Sequence, residues 1–379
     1  MNGPARPGGR QARPTQRGAA LLTAMMIVTL VATLAAAMIW QQWRSVQVEA
    51  AERARAQAQW ILLGAVDWAR LILREDARAG SRGDPVDHLG EPWALPLAEA
   101  KLSTFLAADK QNTEDAPDAF LSGQITDAQS RYNLRRLIEP STDFRREQRT
   151  LSRLMGFVGA RGSAAALAVA LRQSAPPTAT AASAAQAGNV PNAGSGAGAG
   201  TGPDASARPT NPSGNPAEGA PVVVPVSADP PLMPERVEQL AWLGVDAETI
   251  RRLAPYVTIL PQVTPVNLNT APKEVIAAVL DVDPADAERL VQARQRSPFR
   301  TVEQAVELLP PNAQRSPGQG SQGTQGPPRA STRSDYFEIR GRLRLQDRVV
   351  EERALVVRNQ LEVIPLQRER LTALDSGPP

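Results

Sequence analysis

Residue types that carry out enzymatic chemistry are scarce in this chain of 379 residues. It has no cysteine and one histidine, His88, which lies between Asp87 and Leu89 in a loop rich in glycine and proline. Histidine-based zinc catalysis and a cysteine nucleophile are therefore excluded, and a Ser–His–Asp arrangement would depend on His88 alone. We interpret His88 as a solvated loop residue and predict that the chain is not an enzyme.

Carboxylates are the remaining candidate ligands. Glu114, Asp115, Asp118 and Asp127 lie near one another in the sequence and could bind calcium through hard oxygen atoms. Their spacing fits no standard calcium-binding loop, so the sequence assigns no ligands. No pair of carboxylates stands in an apolar setting that would separate their pKa values for acid–base catalysis.

A basic segment precedes a long apolar segment at the N-terminus. Arg6, Arg10, Arg13 and Arg17 come before Gly18, and residues 18–43 carry no charge. Because about 20 helical residues cross a bilayer core of about 30 Å, residues 19–43 predict a transmembrane helix with the arginines on the cytoplasmic side. Removing these four arginines would change the formal net charge from +3 to −1, so the basic balance belongs mostly to the leader.

Helical character continues past the apolar segment. Residues 45–76 contain no proline and are rich in Ala, Glu, Arg, Gln and Leu, which predicts one helix from Ala19 to about Arg74, roughly 80 Å long. Two alternatives for the N-terminus stay open: a secretory signal peptide, whose apolar region is shorter, and an uncleaved signal anchor. Within the second half of the helix, three- and four-residue spacing defines an apolar stripe for packing against another element or subunit: Trp60, Gly64, Trp68 and Ile72.

Several segments, in this order, resemble one family. Arg17-Gly18 before an apolar helix resembles a prepilin leader, and residues 121–134, with Asp127 followed by Tyr132-Asn133-Leu134, resemble the minor pseudopilins of the general secretion pathway protein K family. The resemblance implies cleavage between Gly18 and Ala19 by a prepilin peptidase, with methylation of the new amine. It also implies that Thr23 occupies the fifth mature position, where most pilins carry a glutamate, and that calcium is possible in the head.

The middle of the chain alternates between low-complexity and helical segments. Residues 174–230 are predicted to be a disordered insertion and residues 310–334 a linker, because neither can bury enough apolar surface to offset ordering. Between them, VNLNTAPKEVIAAVL predicts a helix with Thr270 as its cap and Pro272 in the first turn. This block resembles a helix-hairpin-helix, which makes a DNA-uptake pilin the alternative function.

The hairpin turn argues against DNA binding. Helix-hairpin-helix motifs hold a phosphate with backbone N–H groups of a glycine-containing turn. Here the turn Leu280-Asp281-Val282-Asp283 has two carboxylates and no glycine, and carboxylates repel a phosphodiester. At the C-terminus, alternating apolar and charged residues predict two strands with cross-strand charge pairing rather than a nucleic-acid surface.

These segments predict an α+β fold, in which a pilin-like long N-terminal helix packs on a small antiparallel sheet and a large all-α insertion of the helix-hairpin-helix type, with disordered linkers, interrupts the sheet. The predicted divisions are a leader (1–18), a transmembrane helix (19–43), the pilin-like helix with the first strand (44–135), the helical insertion (136–309), the linker (310–334), the C-terminal strands (335–365) and a tail (366–379).

The resemblance implies a function in assembly rather than in catalysis. The chain would sit at the tip of the type II secretion pseudopilus, anchored by a single span in the inner membrane with its head in the periplasm. Its implied partners are other minor pseudopilins in a tip complex, the major pseudopilin, the prepilin peptidase and, further out, secreted substrates; nucleic acid is not among them.

Overall fold

The long N-terminal helix dominates the computed structural model. Helix α1 spans Arg17–Gly80, 64 residues, and therefore runs further than the predicted end near Arg74. The extension follows from the sequence, because residues 75–79 are mostly good helix formers and the next proline is Pro85. The structure describes residues 17–81, 83, 85–102, 119–175, 231–311, 326–345 and 348–374.

Six further helices and nine strands follow in the described residues. The helices are α2 (Phe144–Phe157), α3 (Ala164–Ser174), α4 (Ala247–Leu253), α5 (Lys273–Leu280), α6 (Pro284–Arg296) and α7 (Val302–Glu307). The strands are β1 (Leu97–Lys101), β2 (Ala119–Asp127), β3 (Tyr132–Asn133), β4 (Val257–Thr258), β5 (Val266–Asn267), β6 (Ala330–Ser331), β7 (Tyr336–Leu345), β8 (Arg348–Asn359) and β9 (Glu362–Leu374).

Five strands form one antiparallel sheet in the order β1-β2-β7-β8-β9. Strand β2 pairs with β7 along its whole length, from Ala119 opposite Leu345 to Asp127 opposite Phe337. The pairing of the C-terminal strands with the strand at 121–127 is therefore observed. Two elements far apart in the sequence become neighbours: the helical insertion leaves the sheet at the end of β2 and re-enters it at the start of β7, beside the point of departure.

The second half of α1 packs across this sheet. A buried face recurs every three or four residues along α1, and it meets the apolar residues of β7. That face consists of Ala58, Leu62, Val66, Ala69 and Leu73, opposite Phe337, Ile339 and Leu343. These side chains form the core of the pilin-like body, and they fix the rotation of α1 about its axis.

The insertion has a core of its own. Helices α2 to α7 surround a separate cluster of buried side chains that includes Leu151, Leu154, Leu253 and Ile276. Two short parallel pairs, β3 with β4 and β5 with β6, tie the insertion to the chain on either side of it. In its described residues, 136–175 and 231–309, the insertion is helical apart from these two-residue pairs, and it is joined to the body of the head through β3 and β6.

Two of the predicted divisions are wrong at their edges. The predicted tail at 366–379 contains most of β9. This strand pairs with β8 along its length, with Leu374 opposite Arg348 at one end and Glu362 opposite Asn359 at the other. Pro365 obscured this strand, because proline cannot donate to a ladder and is tolerated only at edges and bulges; here it lies on the edge strand at a register shift. The predicted linker at 310–334 ends earlier, since residues 326–334 are described and include β6.

Other predictions fall partly or wholly outside the described residues. Ser174, the first residue of the segment predicted to be disordered, closes α3 and is buried. Residues 176–230 and 312–325 lie outside the described ranges, as do residues 1–16 of the leader and the carboxylates at 114, 115 and 118. The structure therefore leaves the predictions for these segments as they were.

Candidate assembly interface

The first half of α1 is exposed along its length. From Ala19 to Ala50 every residue of the helix is exposed, although this stretch contains the most apolar window of the chain, with a mean hydropathy of 2.3. The helix is long and apolar enough to cross a membrane. Exposure of so much apolar surface indicates a surrounding of lipid or of other apolar helices.

Thr23 satisfies its own hydroxyl inside this apolar stretch. Its Oγ1 donates to the carbonyl oxygen of Ala19 at 2.7 Å and lies 3.1 Å from that of Ala20. The side chain therefore needs no partner from another subunit, unlike an ionised carboxylate, which is costly in hydrocarbon. Gly18 and Ala19 lie in the first turn of α1, and the structure leaves cleavage between them a prediction.

The predicted apolar stripe lies on a face of α1 that is turned away from the sheet core. Trp60 is 73% exposed and Trp68 is 53% exposed, whereas Ile72 is partly buried against the core. Gly64 lies between the two indoles, and no atom lies within 4 Å of a Cβ built on it. The residues that bury α1 on its own sheet form a neighbouring stripe with the same spacing, so the periodicity alone could not tell the two faces apart.

An apolar groove lies beside the exposed stripe. It has a volume of about 730 Å³ and runs between α1 and the start of β1. The indoles of Trp60 and Trp68 form one wall, and Leu95 and Leu97 contribute to the other. Since Leu95 is also exposed, the groove and the stripe make one continuous apolar surface on the outside of the head.

The end of α1, the sheet and the insertion meet at a buried polar junction centred on Asp127. Asp127 Oδ2 accepts hydrogen bonds from Thr270 Oγ1 at 2.5 Å, Ser334 Oγ at 2.6 Å and Asn267 Nδ2 at 3.1 Å. Asp127 Oδ1 accepts from the backbone N–H of Gln129 at 2.7 Å. Burial raises the pKa of Asp127 to about 6, and the hydrogen bonds from Ser334, Thr270 and the backbone of Gln129 act in the opposite direction.

Residues 267–270, the Asn-Leu-Asn-Thr segment, make side-chain contacts that differ from the predicted helix cap. Thr270 was predicted to cap α5, but its hydroxyl is committed to Asp127, and the cap position is Pro272. Asn269 holds the start of α7 instead, because its side chain accepts from Phe299 N at 2.8 Å and donates to Phe299 O at 2.9 Å. The segment that resembles a helix-hairpin-helix motif therefore fastens the insertion to the body of the head.

The hairpin turn between α5 and α6 lacks a phosphate cradle. Asp281 occupies the left-handed region with φ +59°, and its carboxylate pairs with the guanidinium of Arg153 at 2.5 Å. This ion pair lies where a phosphate would have to approach. Arg153 also donates to the carbonyl oxygen of Val282 at 2.7 Å. The electrostatics of this turn agree with the sequence argument against DNA binding.

The charged face of the sheet pairs differently from the prediction. Arg340 bonds Glu338 and Arg353 bonds Glu351, two residues apart on the same strand, whereas the pair between Arg370 and Glu352 is cross-strand. Residues two apart on a strand share a face, and long arginine side chains reach along the strand as readily as across it. The charges are balanced locally in either arrangement.

His88 and the carboxylates around it lie at the end of α1. His88 is half-buried rather than solvated, and its Nδ1 accepts from the backbone N–H of Gly90 at 3.1 Å. Oxygen atoms of Asp76, Asp87 and Glu91 lie within 4.8 Å of one another. These three residues were not among the predicted calcium ligands, and only the folded structure brings Asp76, on α1, next to the other two.

The acidic residues that lie close together in the described part of the chain are already engaged by protein groups. Calcium requires six to eight oxygen ligands. Asp76 and Asp87 are already bridged by Arg358, at 2.7 and 2.5 Å, and Glu91 Oε2 accepts from Trp93 Nε1 at 2.6 Å. Asp127, the one residue of the loose acidic group in the sequence that the structure describes, has both oxygens occupied by protein donors.

Comparisons with known proteins agree with the architecture. The family model described as type II secretion system protein K matches residues 266–323. The type II secretion system protein K of Pseudomonas aeruginosa is 27% identical over 291 residues, which cover 76% of this chain and 75% of that protein. The protein K of Pectobacterium carotovorum subsp. carotovorum is 26% identical over 368 residues, 94% of this chain and 97% of that protein.

A solved structure shares the fold. A chain in the crystal structure of the GspK–GspI–GspJ complex from the enterotoxigenic Escherichia coli type 2 secretion system superposes with a TM-score of 0.52 and 17% identity, covering 84% of this chain and 98% of that one. A long helix with a free apolar half, docked on an antiparallel sheet, defines the class of pilin-like subunits. Within that class, the chain is similar to type II secretion system protein K, both in the family-model match and in the two relatives.

Proposed function

We propose that this chain is a minor pseudopilin at the tip of the type II secretion pseudopilus, where it nucleates and caps the fibre during export of folded proteins across the outer membrane. One observation carries the proposal: the apolar half of α1 is wholly exposed, while Asn267 fastens the insertion to the loop that follows the opposite end of the same helix. The first feature suits lateral packing into a bundle of helices. The second places a bulky domain where a further subunit would have to stack.

Processing by a prepilin peptidase is part of this proposal. Cleavage between Gly18 and Ala19 would remove the four arginines of the leader and leave an uncharged rod that can move from lipid into a fibre. The protein would remain in the inner membrane through one span until assembly, with its head in the periplasm. Thr23 supports a terminal position, because without a carboxylate it cannot pair with the amine of a subunit above it.

The surface formed by Trp60, Gly64 and Trp68 and the adjoining groove is the proposed contact with other minor pseudopilins. Its exposed indoles are the residue type that most often anchors protein interfaces. The solved chain that shares the fold comes from a GspK–GspI–GspJ complex, which supports partners of the same kind for this chain. The major pseudopilin would follow below the tip complex, and secreted substrates would meet the insertion.

The proposal assigns no catalytic step to the chain. The family members it resembles are named as components of a secretion system. Calcium binding by residues 114, 115 and 118 stays a prediction, since these residues lie outside the described ranges.

Mass spectrometry of the mature N-terminus tests the proposal. The full-length chain is expressed in a host with a type II secretion system, with and without its prepilin peptidase. We expect a chain that begins at Ala19, methylated, only when the peptidase is present, and loss of secretion when the gene for this chain is deleted. An intact residue 1–18 segment in cells that secrete normally would contradict the proposal.

A further inference from the structure

A cleft of about 590 Å³ at the end of α1 collects more negative than positive charge. The helix contributes Asp76, the following loop contributes Asp87 and Glu91, and the entry to β7 contributes Asp335. Two arginines, Arg333 and Arg358, line the cleft, and Arg358 bonds directly to Asp76 and Asp87. Such an arrangement of oxygen atoms calls for a cation.

The guanidinium of Arg358 makes several contacts in this cleft at once. Its Nη1 donates to Asp76 Oδ2 at 2.7 Å, and its Nη2 donates to Asp87 Oδ1 at 2.5 Å and to the carbonyl oxygen of Ser334 at 2.8 Å. The guanidinium carbon also lies 4.8 Å from the centre of the Phe337 ring. A planar fork with fixed donors suits two carboxylates and a carbonyl group, and the aromatic face beneath it favours a cation.

The cleft around Arg358 also joins the end of α1, the sheet and the insertion. Asp87 Oδ2 accepts from the backbone N–H of Ser334 at 2.7 Å, and the Asp87 carbonyl oxygen accepts from Asn267 of the insertion at 3.0 Å. Arg358 lies on β8, and Asp76 lies on α1. One side chain therefore neutralises carboxylates from the helix and the loop that the insertion itself contacts.

We infer that the Arg358 guanidinium is the built-in cation of this junction: it bridges Asp76 and Asp87, next to Glu91, where a divalent cation would otherwise bind, and it makes the stability of the head independent of calcium at this place. The oxygens of the three carboxylates are close enough to converge on one ion. Burial raises the pKa of Asp76 and raises that of Glu91 to about 7, which is consistent with carboxylates that have too little positive charge around them.

Removal of Arg358 is expected to make the stability of the head depend on calcium. In the full-length chain, purified in a non-ionic detergent, Arg358→Ala leaves the carboxylates without their cation, and the unfolding temperature in EGTA falls by roughly 10 °C. Millimolar calcium restores about 5 °C or more of that loss, because a ligand that binds only the folded state stabilises it. Thermal unfolding followed by far-ultraviolet circular dichroism measures both shifts.

Two companion variants keep the result specific. Arg353→Ala removes an arginine from the same strand that pairs with Glu351 on the charged face of the sheet, so its response to calcium should equal that of the wild type. The double variant Arg358→Ala/Glu91→Gln should lose the calcium response that Arg358→Ala gains. Together these controls separate the cleft from calcium binding anywhere else in the chain.

The remaining outcomes of the calcium experiment either support or overturn the role inferred for Arg358. If Arg358→Ala is recovered folded only in calcium, the inference holds, and Arg358→Gln provides the same comparison with a polar side chain that keeps one hydrogen bond. If both variants respond to calcium no more than the wild type does, or stay unfolded in calcium, the inference is overturned. It is equally overturned if the wild type is stabilised by calcium and Glu91→Gln abolishes that effect.

Discussion

Gly341 of β7 lies directly beneath Leu62 of α1. A Cβ built on Gly341 would come within 3.3 Å of Leu62 Cδ2 and 4.0 Å of Ala65 Cβ. The absence of a side chain in the middle of the sheet is therefore what allows α1 to pack closely across it, with Leu62 fully buried. The exposed stripe lies on the neighbouring face of the same stretch of α1.

Replacing Gly341 with valine is expected to destabilise the head by about 2 kcal/mol. The added methyl groups would push α1 away from the sheet, and overpacking a close contact typically costs about 1–3 kcal/mol. Urea denaturation of the full-length chain in detergent, followed by circular dichroism, measures the loss. Gly64→Val is the matched control, because a Cβ at Gly64 meets no atom within 4 Å. Equal losses for the two variants would refute the close-contact explanation.

Stability is expected to fall as the pH rises from 5 to 8. Burial raises the pKa of Asp127 from 3.8 to about 6 and that of Glu91 from 4.5 to about 7. Between these values the folded chain holds protons that the unfolded chain has released, so the stabilisation is complete below the unfolded values and is lost as the pH passes the folded ones. Urea midpoints across this range measure the trend.

The variant Glu91→Gln provides the control for the pH dependence. The amide cannot titrate, so the decline in stability between pH 6 and 8 should become shallower than in the wild type. Asp127→Asn should flatten the lower part of the range, around pH 5 to 6, in the same way. A wild-type midpoint that stays constant or rises with pH would contradict the assigned direction of both pKa shifts.

Thr270→Val is expected to cost about 1–3 kcal/mol, because it removes a hydroxyl donor from the fully buried carboxylate of Asp127 and leaves an isosteric methyl group in its place. Thr270→Ser keeps the hydroxyl and should retain most of the stability. Denaturation midpoints of the two variants give the comparison. Similar losses for both would mean that the methyl group of Thr270, and not its hydrogen bond, is what matters.

The long helix and the pairing of distant strands could be predicted because their signals are local. An uncharged apolar run, the absence of proline up to Pro85 and the alternation around Ile339 each act within a few residues. Strand β9 was missed for an equally local reason, since Pro365 and the charged residues after it hide an edge strand that is stabilised only by its neighbour β8.

The polar junction could not be predicted, because its members are far apart in the sequence. Asp127, Asn267 and Ser334 lie on three different segments, and Arg358 lies on a fourth. No periodicity links them, and only the return of the chain to the sheet brings them together. The stripe on α1 illustrates a related limit: two adjacent faces share the same spacing, and which one meets the sheet depends on the position of Gly341.

The helical insertion is expected not to bind DNA. Asp281 and Asp283 flank the hairpin turn, and Asp281 is paired with Arg153 rather than available to a partner. A gel shift with duplex DNA at low salt, where electrostatic binding is strongest, should show no complex. Replacing Asp281 with glycine, which suits the φ of +59°, tests the alternative with a more favourable turn. Binding by the unmodified chain that weakens steeply with salt would favour an uptake pilin instead.

The two half-exposed tryptophans, Trp68 on α1 and Trp242 on the insertion, allow a matched test of the interface. They are exposed by 53% and 54%, so replacing either with alanine removes a similar area of apolar surface and should leave the fold intact. Only Trp68 belongs to the proposed contact. Trp68→Ala should weaken copurification with the other minor pseudopilins by roughly 30-fold, as expected for loss of about 2 kcal/mol at an interface anchor. Trp242→Ala should copurify as the wild type does, and the opposite pattern would move the interface from α1 to the insertion.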